Sequence, residues 1–578
     1  MQKKIIRREY QEDIAASFTE WHPVLRRVYA ARQVQSAQGL DHALLHLLPY
    51  ESLLGISEAV QLLAQALTQQ QTILIVGDFD ADGATSTAVA VRALTLFGAK
   101  SVHFLVPNRF AYGYGLTPEL VAEAKRFAPD LIVTVDNGVA NHAGVQAAKD
   151  LGIRVLITDH HLPAATLPAA DAMVNPNQTG DPFPSKHLAG VGVIFYVMLA
   201  LRRHLLDSGW FQQQHLPEPN MSQLLDLVAL GTVADLVPLD QNNRILVQHG
   251  LRRIRAGQCV PAIVALLELA GRDFSRIVAA DLGFAVAARL NAAGRMDDMS
   301  LGIECLLTDD SLRAREIARV LDQLNDERKH VEQDMQMQAL QALEKFTPQT
   351  NDLPRGLCLF DETWHQGVIG ILAARIKDKF NRPVIAFAPG QHTELKGSAR
   401  SIAGLHIRDI LALIDAKHPH LILKFGGHAM AAGLSITNTL FEEFKHVFNE
   451  VVSQQVTEAQ LQHVMLSDGE LHADDLNLEL ASLLRDAGPW GQAFPEPHFD
   501  GVFRILEQRI VGNKHLKLTL AKDEKILDAV AFFIDTNAWP NHRCQTVHAV
   551  YRLDVNEYKG RRQVQLIVDY LQPVSENN

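Results

Sequence analysis

From residue 72 to about 160 the chain alternates between two kinds of segment. Four short apolar runs, Ile73-Leu-Ile-Val76, Val102-His-Phe-Leu-Val106, Leu131-Ile-Val-Thr-Val135 and Val155-Leu-Ile-Thr158, alternate with stretches such as 85–97 and 141–151 that read as helices. Continuously apolar strands are buried on both faces and the intervening helices cover them, so the pattern predicts a parallel sheet in an α/β domain. Each run hands over to polar residues: Gly77-Asp-Phe-Asp-Ala-Asp-Gly83, Asp136-Asn-Gly138 and Thr158-Asp-His-His161. That carboxyl edge of an open α/β sheet is where ligands bind.

The rest of the chain divides by periodicity. Residues 1–70 read as helical, with Leu62, Leu63 and Leu67 at helical spacing. Over 311–346 the residues Ile317, Val320, Leu324, Val331, Met335 and Leu343 recur among charges, predicting one long amphipathic helix between two globular halves. A second α/β unit follows at about 356–452, with Pro383-Val-Ile-Ala-Phe387 as a strand and glycine-bearing turns at Lys396-Gly-Ser-Ala-Arg400 and Lys424-Phe-Gly-Gly-His428. From about 465 to 575, short alternating strands such as His515-Leu-Lys-Leu-Thr-Leu520 fit a small β-barrel of the oligonucleotide-binding (OB) type. The expected map is a helical segment over 1–69, a sheet domain over 70–240, a helical region with the connector over 241–350, the second α/β unit over 351–455 and the barrel over 465–575.

Composition narrows the classes. At 578 residues the chain is too long for one ordinary domain, and its apolar runs fall well short of the ~20 residues of a membrane span. The basic start lacks an apolar core and cleavage site, so the expected location is the cytoplasm. Cys259, Cys305, Cys358 and Cys544 form no CxxC pair, which argues against a zinc ribbon or a disulfide framework. A net charge of -12 means that any nucleic-acid contact is local. The segment 501–578 differs, holding eleven Lys and Arg against nine Asp and Glu. There Lys514, His515 and Lys517, with Tyr558-Lys559-Gly-Arg561-Arg562, are candidates to track phosphates, or are simply solvated strand faces.

Asp78, Asp80 and Asp82 stand on alternate residues beside Gly83. Carboxylates this close repel one another unless cations neutralise them, and hard ions such as Mg²⁺ and Mn²⁺ prefer oxygen ligands. A calcium loop shares this spacing, but here the run follows a strand, opens a helix and lacks the EF-hand glutamate. Asp136 and Asp159-His160-His161 follow two further strands and converge on the same edge; oxygen ligands with imidazole suit manganese and admit magnesium. Asp235 lies in the otherwise apolar Leu230-Gly-Thr-Val-Ala-Asp-Leu-Val-Pro238, where an unpartnered carboxylate is costly. Taken singly, Asp78 also reads as a helix N-cap, His161 as a structural histidine and Asp159 as a residue that orients its neighbours. The recurrence of costly acids at strand ends favours a metal centre.

The combination of these segments with Arg289-Leu-Asn291-Ala-Ala-Gly-Arg295, Ser398-Ala-Arg400-Ser and Gly426-Gly427-His428-Ala-Met-Ala-Ala-Gly433 closely resembles the bacterial RecJ single-strand-specific exonucleases of the DHH superfamily, from about Gln70 onward. The resemblance implies a DHH catalytic domain, a DHH-associated domain and an OB-like nucleic-acid-binding barrel. It places Asp80, Asp82, Asp136, His160 and Asp235 as ligands of two divalent cations, with Asp136 bridging, Asp78 a further candidate ligand and His161 a catalytic candidate. Ser398, Arg400, Gly426, Gly427 and His428 would face the metals across a cleft, although Arg400 also reads as a surface ion-pair residue and the glycines as a turn. Arg289, Asn291 and Arg295 become phosphate-binding candidates, or else a helix C-terminus with a glycine stop; Arg109, beside aromatic residues, is a candidate for gripping the 5′ end or is ordinary packing.

The implied activity is processive 5′-to-3′ hydrolysis of single-stranded DNA to mononucleotides by two metal ions, in recombination and repair. The implied partners are single-stranded DNA, the single-strand DNA-binding protein and a helicase, with no membrane. Two rivals are a DHH phosphodiesterase or pyrophosphatase on small substrates, which needs neither barrel nor connector, and a non-catalytic DNA-binding scaffold, which is expected to lose ligand residues.

Overall fold

The structure is a computed structural model that describes residues 3–107, 115–164, 166–345, 353–390, 392–427, 429–512, 514–558 and 560–574. A strand, β1 (Lys4–Arg7), precedes the helices expected over 1–70. The first sheet has β2 (Ile73–Val76), β3 (Val102–Leu105), β4 (Leu131–Val135), β5 (Arg154–Thr158) and β6 (Ala172–Val174), all parallel, in the order β3-β2-β4-β5-β6. Every residue of β2 and β4 is buried, as their unbroken apolar runs require. From β2 the chain steps to β3 on one side, then returns to place β4 on the other. The carboxyl ends of β2 and β4 therefore flank the switch point of the sheet, where a crevice opens.

The connector is a helix over Ser311–Lys345. It leads to β7 (Leu357–Phe360), β8 (Val384–Pro389), β9 (Glu394–Arg400), β10 (Lys424–Gly427) and β11 (Ala431–Thr437), ordered β10-β11-β9-β8-β7 with only β7 and β8 parallel among neighbours. The two segments expected as glycine-bearing turns are thus strands, β9 and β10. In β9 burial alternates, with Leu395, Gly397 and Ala399 inside. A Cβ on Gly397 would lie 2.6 Å from Phe387 and Leu434. The glycine makes room for the phenyl ring and does not turn the chain.

After β12 (Val464–Ser467) comes a closed barrel of β13 (Phe499–Val511), β14 (His515–Lys522), β15 (Lys525–Ala531), β16 (Thr546–Tyr558) and β17 (Arg561–Pro573), ordered β13-β14-β15-β17-β16. β1 pairs in parallel with β12. The N-terminal segment is clamped there by charge: Arg7 donates to both oxygens of Asp500 at 3.0 and 2.9 Å, and Arg32 to both of Asp468 at 2.8 and 3.0 Å. One apolar core runs from the N-terminal helices through one face of the first sheet to the barrel, whereas the second α/β unit has cores of its own. Among the described residues no helix is long and apolar enough to cross a membrane.

Candidate metal centre

The chain leaves β2 into Asp78-Phe-Asp-Ala-Asp-Gly83. Asp80 is the N-cap of the Ala81–Leu96 helix, its Oδ1 accepting the Asp82 and Gly83 N–H groups at 2.9 and 3.0 Å. The capping role considered for Asp78 therefore falls to Asp80. The loop closes tightly: a Cβ on Gly83 would lie 2.6 Å from the backbone N and O of Asp78. Asp82 is buried and accepts the Gly190 and Val191 N–H groups at 2.6 and 2.9 Å, at the N-terminus of the Gly190–Asp207 helix. The helix dipole favours a carboxylate there.

Asp136 is the first residue after β4 and holds φ 61. A side chain in that left-handed region costs roughly 1–2 kcal/mol, a strain tolerated where the site needs the direction. Its carboxylate lies 3.1 Å from His160 Nε2, which is 3.5 Å from Asp235 Oδ2. Asp235 caps the C-terminus of the Leu225–Ala234 helix. Asp159 orients its neighbours: it accepts the backbone N–H groups of His160, His161 and Val139 at 2.7, 3.1 and 2.9 Å and pairs with His161 Nδ1 at 2.8 Å. The His160 and His161 carbonyls accept from Asn177 and Asn175 at 2.6 and 2.9 Å. Sequence reading missed both asparagines; their signal was the polar run Asn175-Pro-Asn177 directly after β6.

These acids are at odds with their surroundings. Burial, then repulsion from Asp80, pushes the Asp82 carboxyl up to about 7. Burial, then repulsion from Asp82 and Asp80, carries Asp235 to about 8. Asp136 is driven well above the carboxylate range by burial and by its four acidic neighbours, Asp82, Asp80, Asp78 and Asp235. For His161, burial opposes the charge, but the Asp159 hydrogen bond and the acids outweigh it and raise it to about 9. Among the described residues three ligand sets have atoms within 4.8 Å of one another: Asp136, His160 and His161; Asp82, His160 and Asp235; Asp78, Asp80 and Asp136. Crowded oxygen donors with imidazole fit hard or borderline divalent cations, and Asp136 and His160 each belong to two of the sets.

The phosphate candidates are spread more widely. Arg289 is buried, donating to Asp322 of the connector at 2.8 Å and to the Ala285 carbonyl at 2.7 Å. Its guanidinium ties the Ala288–Met296 helix to the connector. The Arg289–Arg295 segment lies within the Ala288–Met296 helix, so Gly294 is no stop signal. Asn291 Oδ1 accepts the Ala81 N–H at 2.8 Å, bracing the metal loop, and Arg295 is exposed. Arg400 is half-buried and donates to Ser398 Oγ and the Ala399 carbonyl at 3.1 and 2.8 Å, with no ion pair among the described residues; burial lowers its pKa. Gly426 and Gly427 lie in β10, where a Cβ on Gly427 would meet Ala432 Cα at 2.4 Å. On the barrel, Lys514 Nζ sits 4.9 Å from the Phe533 ring, Lys517 pairs with Asp528 at 3.0 Å, Arg562 pairs with Glu557 at 2.8 Å and Arg561 is exposed. Arg109, His428, Lys559 and the side chain of Tyr558 lie outside the described residues.

Three family descriptions match the chain: "DHH family, N-terminal domain" over residues 72–232, "DHHA1 domain" over 354–455 and "RecJ OB domain" over 467–570. The chain is 52% identical, over 98% of its length and 99% of the relative's, to the single-stranded-DNA-specific exonuclease RecJ of Escherichia coli. It belongs to the RecJ family. Another RecJ, of Dickeya dadantii, is 56% identical over 95% of this chain and 96% of its own. The crystal structure of Thermus thermophilus RecJ in complex with Mn²⁺ superposes with a TM-score of 0.77 at 30% identity, covering 99% of this chain and 79% of that one. The α/β multidomain architecture read from the sequence, with its parallel-sheet domain, connector helix, second α/β domain and C-terminal OB-like barrel, is that of the RecJ family.

Proposed function

We propose that this chain is a divalent-metal-dependent exonuclease that degrades single-stranded DNA from the 5′ end to mononucleotides, in recombination and repair. One observation carries the reading: the acids and imidazoles of four separate segments meet at the switch point of the sheet in a chain of the RecJ family. In this reading Asp80, Asp82, Asp136, His160 and Asp235 would hold two cations, Mn²⁺ or Mg²⁺, with Asp78 and His161 beside them. When bound, such ions lower the pKa of a water and stabilise charge on the attacking and leaving oxygens.

The protein's own part is to fix those ligands. Asp159 holds His161, Asn175 and Asn177 hold the His160-His161 backbone, and the Gly190–Asp207 helix fixes Asp82. Arg400 and Arg295 receive phosphates, and the barrel's Lys514 and Arg561 guide the strand. In the same proposal the domains run over 1–69, 70–240, 241–350, 351–455 and 465–575, the setting is cytoplasmic, and the partners beyond DNA are a single-strand DNA-binding protein and a helicase. The small-substrate and scaffold alternatives are not favoured, because the barrel and connector are present and the acidic set is intact.

Digestion of 5′- and 3′-end-labelled single-stranded and duplex DNA with Mn²⁺ or Mg²⁺ tests this. Wild type is expected to release the 5′ label as mononucleotide from single strands only, and Asp136→Ala to release none. Untouched DNA with both ions would sink the reading.

A further inference from the structure

A cavity of about 370 Å³ opens beside the acidic cluster, within the usual range for ligand pockets. Its walls are the end of the Leu225–Ala234 helix, the π-helical turn Leu282–Ala287, the Ala288–Met296 helix and the segment around Trp490. It is joined to the metal centre through the chain: Ala234 and Leu236 line it on either side of Asp235, and its Asn291 braces the loop between Asp80 and Asp82.

The wall is mostly apolar, yet the guanidinium-bearing residues Arg295 and Arg328 both line it. Arg328 is aimed by bonds to Glu332 and Asn325 at 3.0 and 3.2 Å. Two lining residues are strongly exposed, Phe284 at 83% and Leu236 at 72%. A lone exposed apolar side chain needs no explanation. A phenyl ring and a leucyl side chain bordering one cavity, with two arginines and a phosphodiester-cleaving centre adjoining, do need one. Phe284 also stands on a π-helical turn, a rare conformation frequently found at functional sites.

We propose that this cavity receives a nucleobase of the bound single strand. Phe284 is its stacking face and Arg295 and Arg328 meet the neighbouring phosphates, so that the scissile phosphate reaches the acidic cluster in register. Every base has a π-face, so such a platform grips any sequence, as an exonuclease requires. Phe284 is a positioning residue, and the proposal rests on the exonuclease reading.

The test is Mn²⁺-dependent hydrolysis of end-labelled single strands by wild type, Phe284→Ala and Phe284→Tyr, on intact DNA and on DNA carrying one abasic residue at successive positions from the 5′ end. Phe284→Ala is expected to raise KM on the order of 10-fold while Tm stays unchanged, and Phe284→Tyr to restore it. In wild type the abasic residue should slow hydrolysis in one register, and in Phe284→Ala that penalty should vanish. A wild-type KM and abasic profile in Phe284→Ala would overturn the proposal, also where that variant has lost only the capture of an acidic peptide. Wild type inert on all single strands would instead mean that the exonuclease reading itself has failed.

Discussion

Asp136 is confined from two sides. Its backbone holds φ 61, and a Cβ on Gly190 would lie 2.6 Å from its Oδ1, so a glycine at the neighbouring helix start is what lets the carboxylate sit in the cluster. Asp82 and Asp235, carried to about 7 and about 8, take up protons in the cation-free protein as pH falls through those values. Their folded values exceed the unfolded value of about 3.9, so the stability they contribute is fully present below that pH and is lost as pH rises through about 7 and 8. A cation displaces those protons, so its affinity rises over the same window. Thermal unfolding of chelator-treated protein from about pH 6 to about pH 9 is expected to show a Mn²⁺-induced gain in Tm that grows with pH. A gain that stays constant would contradict the linkage.

Elements meet this site through glycine as well as through acids. The Ala288–Met296 helix crosses the metal loop so closely that a Cβ on Gly294 would fall 1.8 Å from the Phe79 carbonyl oxygen. Gly294→Ala is therefore expected to push the helix off the loop, costing about 1–3 kcal/mol of stability, and to lower kcat by misplacing Asp80 and Asp82. Denaturant midpoints with turnover on labelled DNA check both effects, and unchanged values would mean that the contact yields. The same residue type misled the reading of β9 and β10. Glycine in a sequence signals a turn, but here it marks a strand packed against a phenyl ring at Gly397 and a close backbone approach at Gly427.

Across the whole molecule the first strand is fastened to the barrel. Asp500 is buried at the start of the barrel; burial raises its pKa, but Arg7, Ser467 and His548 outweigh that and hold it at about 2. A carboxyl depressed in this way stabilises the fold above its unfolded pKa of about 3.9, and the contribution is lost as pH falls through about 2. Asp500→Asn is expected to destabilise the protein by about 1–3 kcal/mol at neutral pH, with the gap from wild type narrowing on acidification. Urea unfolding of both proteins at several pH values checks this; equal midpoints at neutral pH would mean that the clamp adds nothing.

The sequence by itself determined the parallel sheet, the connector, the barrel and the acids at the strand ends, because apolar periodicity and clustered charge are local properties that need no neighbour. Only the tertiary structure decided which polar residues serve which task. Nothing near Arg289 in the chain announces its bond to Asp322 of the connector, Asn175 and Asn177 read as loop until the two histidine carbonyls lie against them, and β1 has no signal until β12 offers an edge. A hydrogen bond is set by a partner distant in the chain, and a short strand by the edge it joins, so neither is written in its own segment.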